Sequence, residues 1–266
     1  MFGNCQCSGV RKFLLEYSNF SDEYEVHQYA NWELIKDNNR IVIPIHLIRT
    51  ADLIIYQPLP DERNCYSTNK KNPNSFFSLL REDCKTISFP RIHNNAIFPI
   101  FHQTSNHDVL YGRITNKAKS INEIVDLYNN NLIDYDFDKR MSENYIISKK
   151  KESECDIKII DFIYNNISNH KIFLTQDHPT SFVFNEVSSQ ICDILGLDYN
   201  YDKGATAHEN ITELHDSVYN NITKQYPISR YAIRHFGFRY ATEETATANV
   251  FYGKNTVEYF NKSSQK

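Results

Sequence analysis

The sequence predicts an α/β fold: a mostly parallel sheet flanked by helices, with a helical middle and a C-terminal addition. Three observations carry this. Short apolar runs alternate with segments of helical period through the first third of the chain. Several runs stop at a proline, as Ile54-Ile55-Tyr56 does before Gln57-Pro58. The chain has 266 residues, 41% of them hydrophobic, which is ample for a packed core. One α/β domain is therefore expected over residues 1–266, with helical additions around 119–168 and 205–266.

In chain order, Met1-Phe2 form a strand stub. Ser8 to Tyr17 places Val10, Phe13, Leu14 and Tyr17 at helical spacing. Tyr24 to Tyr29 and the β-branched Ile41 to Ile45 read as strands. Ala51 to Tyr56 suits a buried strand stopped by Pro58. Asn74 to Arg81 reads as a helix capped by Asn74 or Ser75, and Thr86 to Phe89 as the next strand. Ser120-Ile-Asn-Glu123 is a capping box opening a helix to about Asn129. Helices over Phe137 to Lys151 and Cys155 to Asn166 follow, then a strand over His170 to Thr175. Thr180 to Leu195 is a helix, with Pro179 near its first turn and Gly196 at its end. Beyond Leu197 the pattern weakens: Ile222 to Phe238 contains Pro227, and Ala246 to Phe260 reads as a final helix.

Charge bounds the partners. With 29 Lys+Arg against 33 Asp+Glu, the net charge of -4 argues against a strongly basic nucleic-acid binder, though not against a local basic patch. Aromatics at 14% argue against disorder. No apolar run approaches the roughly 18 residues of a membrane helix, and no export signal follows Met1. Cys5, Cys7, Cys65, Cys84, Cys155 and Cys192 are scattered, so they read as reduced thiols of a cytoplasmic protein. Cys5-Gln-Cys7 is too closely spaced for a zinc knuckle, and His93, His102 and His107 match no ligand spacing, so no metal is expected.

Two constellations can carry chemistry. Gly3-Asn4-Cys5-Gln6 lies between the strand stub and a helix start. A side chain at position 5 then projects from a tight turn, with N–H groups of the helix aimed at it. Such a place lowers a thiol pKa and offers oxyanion donors or an anion site. The other reading of Cys5 is a small buried filler. Asp177-His178-Pro179-Thr180 follows a strand and precedes a helix, where active-site loops of α/β sheets gather. His178 can serve as base toward a thiol or hydroxyl, with Asp177 to orient it. Alternatively Asp177 or Thr180 caps the helix and His178 is a surface residue. Gln57 ends a strand, so its amide either donates to an oxyanion in the same cleft or satisfies a turn. Arg81, Arg91 and Arg113 are candidates for phosphate, against the ordinary role of solvated or ion-paired cations. Lys149-Lys150-Lys151 reads as an exposed helix end, with contact to a nucleotide phosphate as the second reading.

Gly3-Asn4-Cys5-Gln6 resembles the opening motif of the WcbI-type polysaccharide biosynthesis acetyltransferase family. Asp52-Leu-Ile-Ile-Tyr-Gln57-Pro58 is similar to it as well, as are Ser88-Phe-Pro90 followed by Phe98-Pro99. So is Ile172 through Asp177-His178-Pro179-Thr180, with its helix ending Ile194-Leu-Gly-Leu197. These stretches span roughly residues 1–200, and the first and last are the more specific. By architectural analogy the layer resembles Rossmann and SGNH-type sheets, with Cys5 where an SGNH serine would stand.

The resemblance implies an enzyme of capsule or other surface-glycan biosynthesis that binds coenzyme A. Its implied reaction is O-acetyl transfer from acetyl-CoA to a sugar hydroxyl. Cys5 and His178 would be the reactive pair, with Gln6 and Gln57 at the acyl site. Asn4, Gln6, Pro179, Thr180 and Arg81 would contact the CoA donor. The implied partner is a sugar or polysaccharide precursor, not nucleic acid, and the protein would stand at the periphery of a glycan assembly complex with no membrane span. Family members usually carry a full strand before the motif; here only Met1-Phe2 precede it, so either the chain start is truncated or misassigned, or the first strand is shortened. Two other readings stand beside transfer: a glycan esterase using the same pair, and a non-catalytic glycan- or nucleotide-binding protein using its aromatic rings.

Overall fold

Four short strands build the central sheet of the computed structural model, which describes residues 1–36, 40–98, 117, 120–209 and 228–241. They are β1 (Phe2–Gly3), β2 (Tyr29–Ala30), β3 (Leu53–Tyr56) and β4 (Lys85–Ser88). All described pairings are parallel, in the order β2-β1-β3-β4. The first strand has only two residues. It still holds the middle of the sheet: Tyr29 N–H donates to Met1 O at 2.9 Å and Gln57 N–H to Phe2 O at 3.0 Å.

Around the sheet lie α1 (Gln6–Tyr17), α2 (Phe20–Glu23), α3 (Asn31–Leu34) and α4 (Ile45–Thr50). Then come α5 (Ile121–Asn129), α6 (Phe137–Glu152), α7 (Ile160–Asn166), α8 (Ser181–Leu195), α9 (Tyr201–Glu209) and α10 (Arg230–Phe236). The sheet is covered on both faces, as parallel sheets require. Alternation along β3 shows it: Ile55 joins Ile87, Val10 and Phe184 on the α1 and α8 side, while Ile54 joins Phe2, Tyr66 and Phe76 on the other. Gly9 lets α1 and α8 approach closely, since a Cβ there would lie 2.5 Å from the Phe184 ring.

Several expected elements form differently, each for a local reason. Ile41 to Ile45 is no strand, because Pro44 donates no N–H and instead stands as the N-cap of α4. Of Tyr24 to Tyr29 only the end pairs, since β1 offers just two residues to pair with. Asn74 to Arg81 is a single 3₁₀ turn, Phe76–Leu79, with the Ser75 side chain accepting from Phe77 N–H. Cys155 to Asn166 turns helical only at Ile160. The N–H groups of Asp156 and Ile157 donate to Ser88 O, and those of Ile159 and Ile160 to the buried Glu152 carboxylate.

His170 to Thr175 does not extend the parallel sheet. Its end, β5 (Phe173–Thr175), pairs antiparallel with β6 (His178–Pro179). Pro179 thus belongs to a hairpin, and α8 starts after Thr180 and stops at Gly196, which has a φ of 72°. The expected helix over Ala246 to Phe260, the first six residues of Ile222 to Phe238, and His102, His107 and Arg113 lie outside the described residues; the rest of Ile222 to Phe238 turns helical at Arg230. Among the described residues, no helix is long and apolar enough to cross a membrane.

A candidate active site at the switch point of the sheet

From β1 the chain crosses to β2 on one side and later to β3 on the other, so the β1/β3 boundary is the topological switch point. Ligands of open α/β sheets bind at the carboxyl ends of the strands at such a point. Cys5 follows β1 there, and Gln57 follows β3.

A network of buried amides builds the turn. Gln57 Oε1 accepts from Asn4 N–H at 2.9 Å, and Gln57 Nε2 donates to Gln6 Oε1 at 2.9 Å. Asn4 Oδ1 accepts from Gln6 N–H at 2.9 Å, closing an Asx turn into α1. Gln6 Nε2 donates to Ile92 O at 2.6 Å and to Asp177 O at 2.8 Å, while Gln6 Oε1 also accepts from Ile92 N–H at 3.1 Å. Gly3 leaves room for this crowding: a Cβ there would lie 2.4 Å from Cys7 Sγ and 3.0 Å from Gln57 Oε1.

Cys5 is partly exposed at the N-cap of α1, whereas the other five cysteines are buried. Its thiol pKa is raised, not lowered as the sequence led us to expect. Burial raises it most, and the charge of Asp177 adds to that. The N–H groups of Cys5 and Gln6, with the charge of Arg91, offset only part. Two N–H groups at a helix start are too weak to ionise a thiol that is losing water beside a carboxylate.

Asp177 makes up the hairpin turn with Gln176, between Thr175 and His178. Its Oδ1 accepts from His93 Nδ1 at 2.8 Å and from Arg91 Nη2 at 2.5 Å. Burial would raise its pKa, but the hydrogen bond and charge of His93 and the charge of Arg91 prevail and hold it at about 2. Asp177 therefore orients His93, not a helix N-terminus. His178 is partly buried, with Nδ1 at 2.6 Å from Thr175 Oγ1. Burial lowers its pKa, against a smaller opposite pull from Asp177, so it favours the neutral ring.

The remaining candidates fall in two groups. Gln6 and Gln57 are buried and face each other, so both brace the turn and do not present their amides to a cleft. Thr180 is fully buried and its hydroxyl donates to Lys171 O at 2.7 Å. Pro179 is buried in the hairpin. Arg81 pairs with Asp52 at 2.8 Å and Asp83 at 3.0 Å, beside the amino ends of β3 and β4. Cys5 is at the opposite end, about 13 Å of strand away. Lys149 pairs with Glu152 and Asp161 at the end of α6.

Two residues at this edge were undervalued by sequence reasoning. Arg91 and His93 follow β4 directly, and the strand ending Ser88-Phe-Pro90 was the available signal. His93 was weighed only as a metal ligand, because nothing in sequence announces Asp177, 84 positions away, as its partner.

The class that fold and site define is a parallel α/β layer ending on a part-exposed thiol, with a His–Asp pair at the same edge. Residues 1–200 match the family described as polysaccharide biosynthesis enzyme WcbI, and the chain belongs to that family. A solved structure of WcbI is similar with a TM-score of 0.63 at 18% identity, covering 98% of this chain and 88% of that one. It is described as a novel polysaccharide biosynthesis enzyme in a native form without a disulfide bond between CoA and one of its cysteines. At that identity the likeness speaks for the fold. No curated protein matches significantly.

Proposed function

We propose that the protein transfers an acetyl group from acetyl-CoA to a hydroxyl of a sugar precursor in surface-polysaccharide biosynthesis. The observation that carries this reading is Cys5, a part-exposed thiol at the switch point, at the N-cap of α1. Membership of a polysaccharide biosynthesis family supports the sugar acceptor, and the relative described with CoA and a cysteine supports the donor. The edge fits such a donor. The backbone N–H groups of Cys5 and Gln6 act on the Cys5 sulfur, which supports donors for a thioester carbonyl placed against it. Arg91, about half exposed, brings a cation for phosphate. A CoA donor and free thiols both accord with a reducing cytoplasm.

In this reading Cys5 Sγ attacks the thioester carbonyl carbon. The carbon–sulfur bond to CoA breaks, and the thiol proton passes to the CoA sulfur. The sugar hydroxyl then attacks the acetyl carbon on Cys5. His178, which favours the neutral form, takes the hydroxyl proton and returns it to Cys5 as the ester forms.

Thermal shift with millimolar CoA and acetyl-CoA, paired with intact mass, tests this. CoA is expected to raise the melting temperature, since it binds the native state, and acetyl-CoA to leave an adduct on Cys5. No shift with either ligand would favour the glycan esterase. Activity kept in Cys5→Ala, without an adduct in the unaltered protein, would remove the covalent route.

A further inference from the structure

We propose that His93, oriented by Asp177, is the base that takes the proton from Cys5, so that the two histidines of this edge serve different half-reactions. This rests on the acetyl-transfer reading and deepens it. His178 stays with the acceptor hydroxyl, and His93 serves the thiol.

The need comes first. Burial and the charge of Asp177 hold Cys5 as a neutral thiol, and a thiol attacks poorly until its proton leaves. The position comes next. Gln6, the immediate neighbour of Cys5, grips Ile92 by both its N–H and its carbonyl and grips Asp177 by its carbonyl. On the other side of His93, Asn94 N–H donates to Gln176 O at 2.9 Å. His93 is thus fixed between two anchored residues, on the loop that Gln6 ties to the start of α1. One buried amide therefore sets the register of Cys5, His93 and Asp177 together.

Orientation follows from the chemistry of the partner. An ionised carboxylate only accepts, and Arg91 on the same oxygen helps keep Asp177 ionised. Nδ1 of His93 must then carry the hydrogen in the 2.8 Å bond, which leaves Nε2 to accept a proton. His93 keeps 26% of its side chain exposed, so the ring is open to a reacting group. The titratable and charged groups gathered at this edge are Cys5 from the N-cap of α1, Arg91 from the same loop, and Asp177 and His178 from the hairpin. In the step itself, Nε2 takes the Cys5 proton as the sulfur bonds to the thioester carbonyl carbon. The bond from that carbon to the CoA sulfur breaks, and the imidazolium gives the proton to the departing sulfur.

The experiment follows acetylation of Cys5 from acetyl-CoA by intact mass, across pH, in the unaltered protein and in His93→Gln. At neutral pH the variant is expected to acetylate roughly 100-fold more slowly or worse, the size of a lost general base. At alkaline pH, where the thiol ionises unaided, its rate should return to within a few-fold. That convergence separates a base from a structural prop, whose loss would slow the reaction at every pH. Asp177→Asn, which keeps the ring but removes its orienting charge, is a second variant should His93→Gln fold poorly, and is expected to slow neutral-pH acetylation in the same way. Equal rates at neutral pH, or a deficit that persists unchanged at alkaline pH, would overturn the assignment. So would an unaltered protein that CoA stabilises but acetyl-CoA never acetylates. Absence of any CoA shift is the separate outcome that fails the acetyl-transfer reading itself.

Discussion

Gln6 shows how one buried side chain sets a site. All its side-chain capacity goes to Ile92, Asp177 and Gln57, and none to solvent. Gln6→Glu keeps the shape but replaces two donated hydrogen bonds with a charge facing two carbonyls. We expect a loss of about 3 kcal/mol or more, read as a lower urea midpoint at unchanged slope. A loss below about 1 kcal/mol would show that the amide does not clamp the turn. At this scale the sequence made the place of Cys5 legible and its ionisation illegible. The motif shows a thiol at a helix start, but the opposing charge belongs to Asp177, which only folding brings near.

Among elements, the contact of α1 with α8 is a tight constraint. Gly9→Ala would push a methyl into the Phe184 ring. Overpacking of this kind costs about 1–3 kcal/mol. Combining it with Phe184→Leu should cost less than the sum of the two single changes, which a double-mutant cycle by urea unfolding would read. Strict additivity would place the two residues apart. Element types were legible where the period was long, as in α1, α6 and α8. They failed where a distant group claimed the backbone. Nothing local announces that Ser88 O takes the N–H groups of Asp156 and Ile157 and so delays α7. Likewise His170 to Thr175 has strand composition, but the partner that decides between sheet and hairpin is β6.

Across the whole molecule, the charged and neutral groups of the site couple folding to pH. Asp177 drops from 3.8 to about 2 on folding and is mostly shielded. Its contribution, about 2 kcal/mol, is complete above pH 3.8 and lost as pH falls toward 2. His178 is lowered from 6.5, so the folded state resists the proton that the unfolded chain accepts. Its share is complete above pH 6.5 and declines as pH falls below that value. The melting temperature should therefore fall in two stages on acidification. His178→Gln should flatten the upper stage and Asp177→Asn the lower, as calorimetry against pH would show. A profile unchanged in both variants would mean that neither group titrates with folding.

The sequence by itself determined the parallel α/β layer, the thiol turn after its first strand and the family. Those follow from local period, from turn residues and from a motif contiguous in the chain. Tertiary structure alone decided which groups meet at that turn. Gln6, Gln57, Asp177 and His93 come from four separate segments, and Arg81 is carried to the opposite end of the sheet. The reason is physical: a hydrogen bond or a charge acts over a few ångströms of space, whatever the distance along the chain.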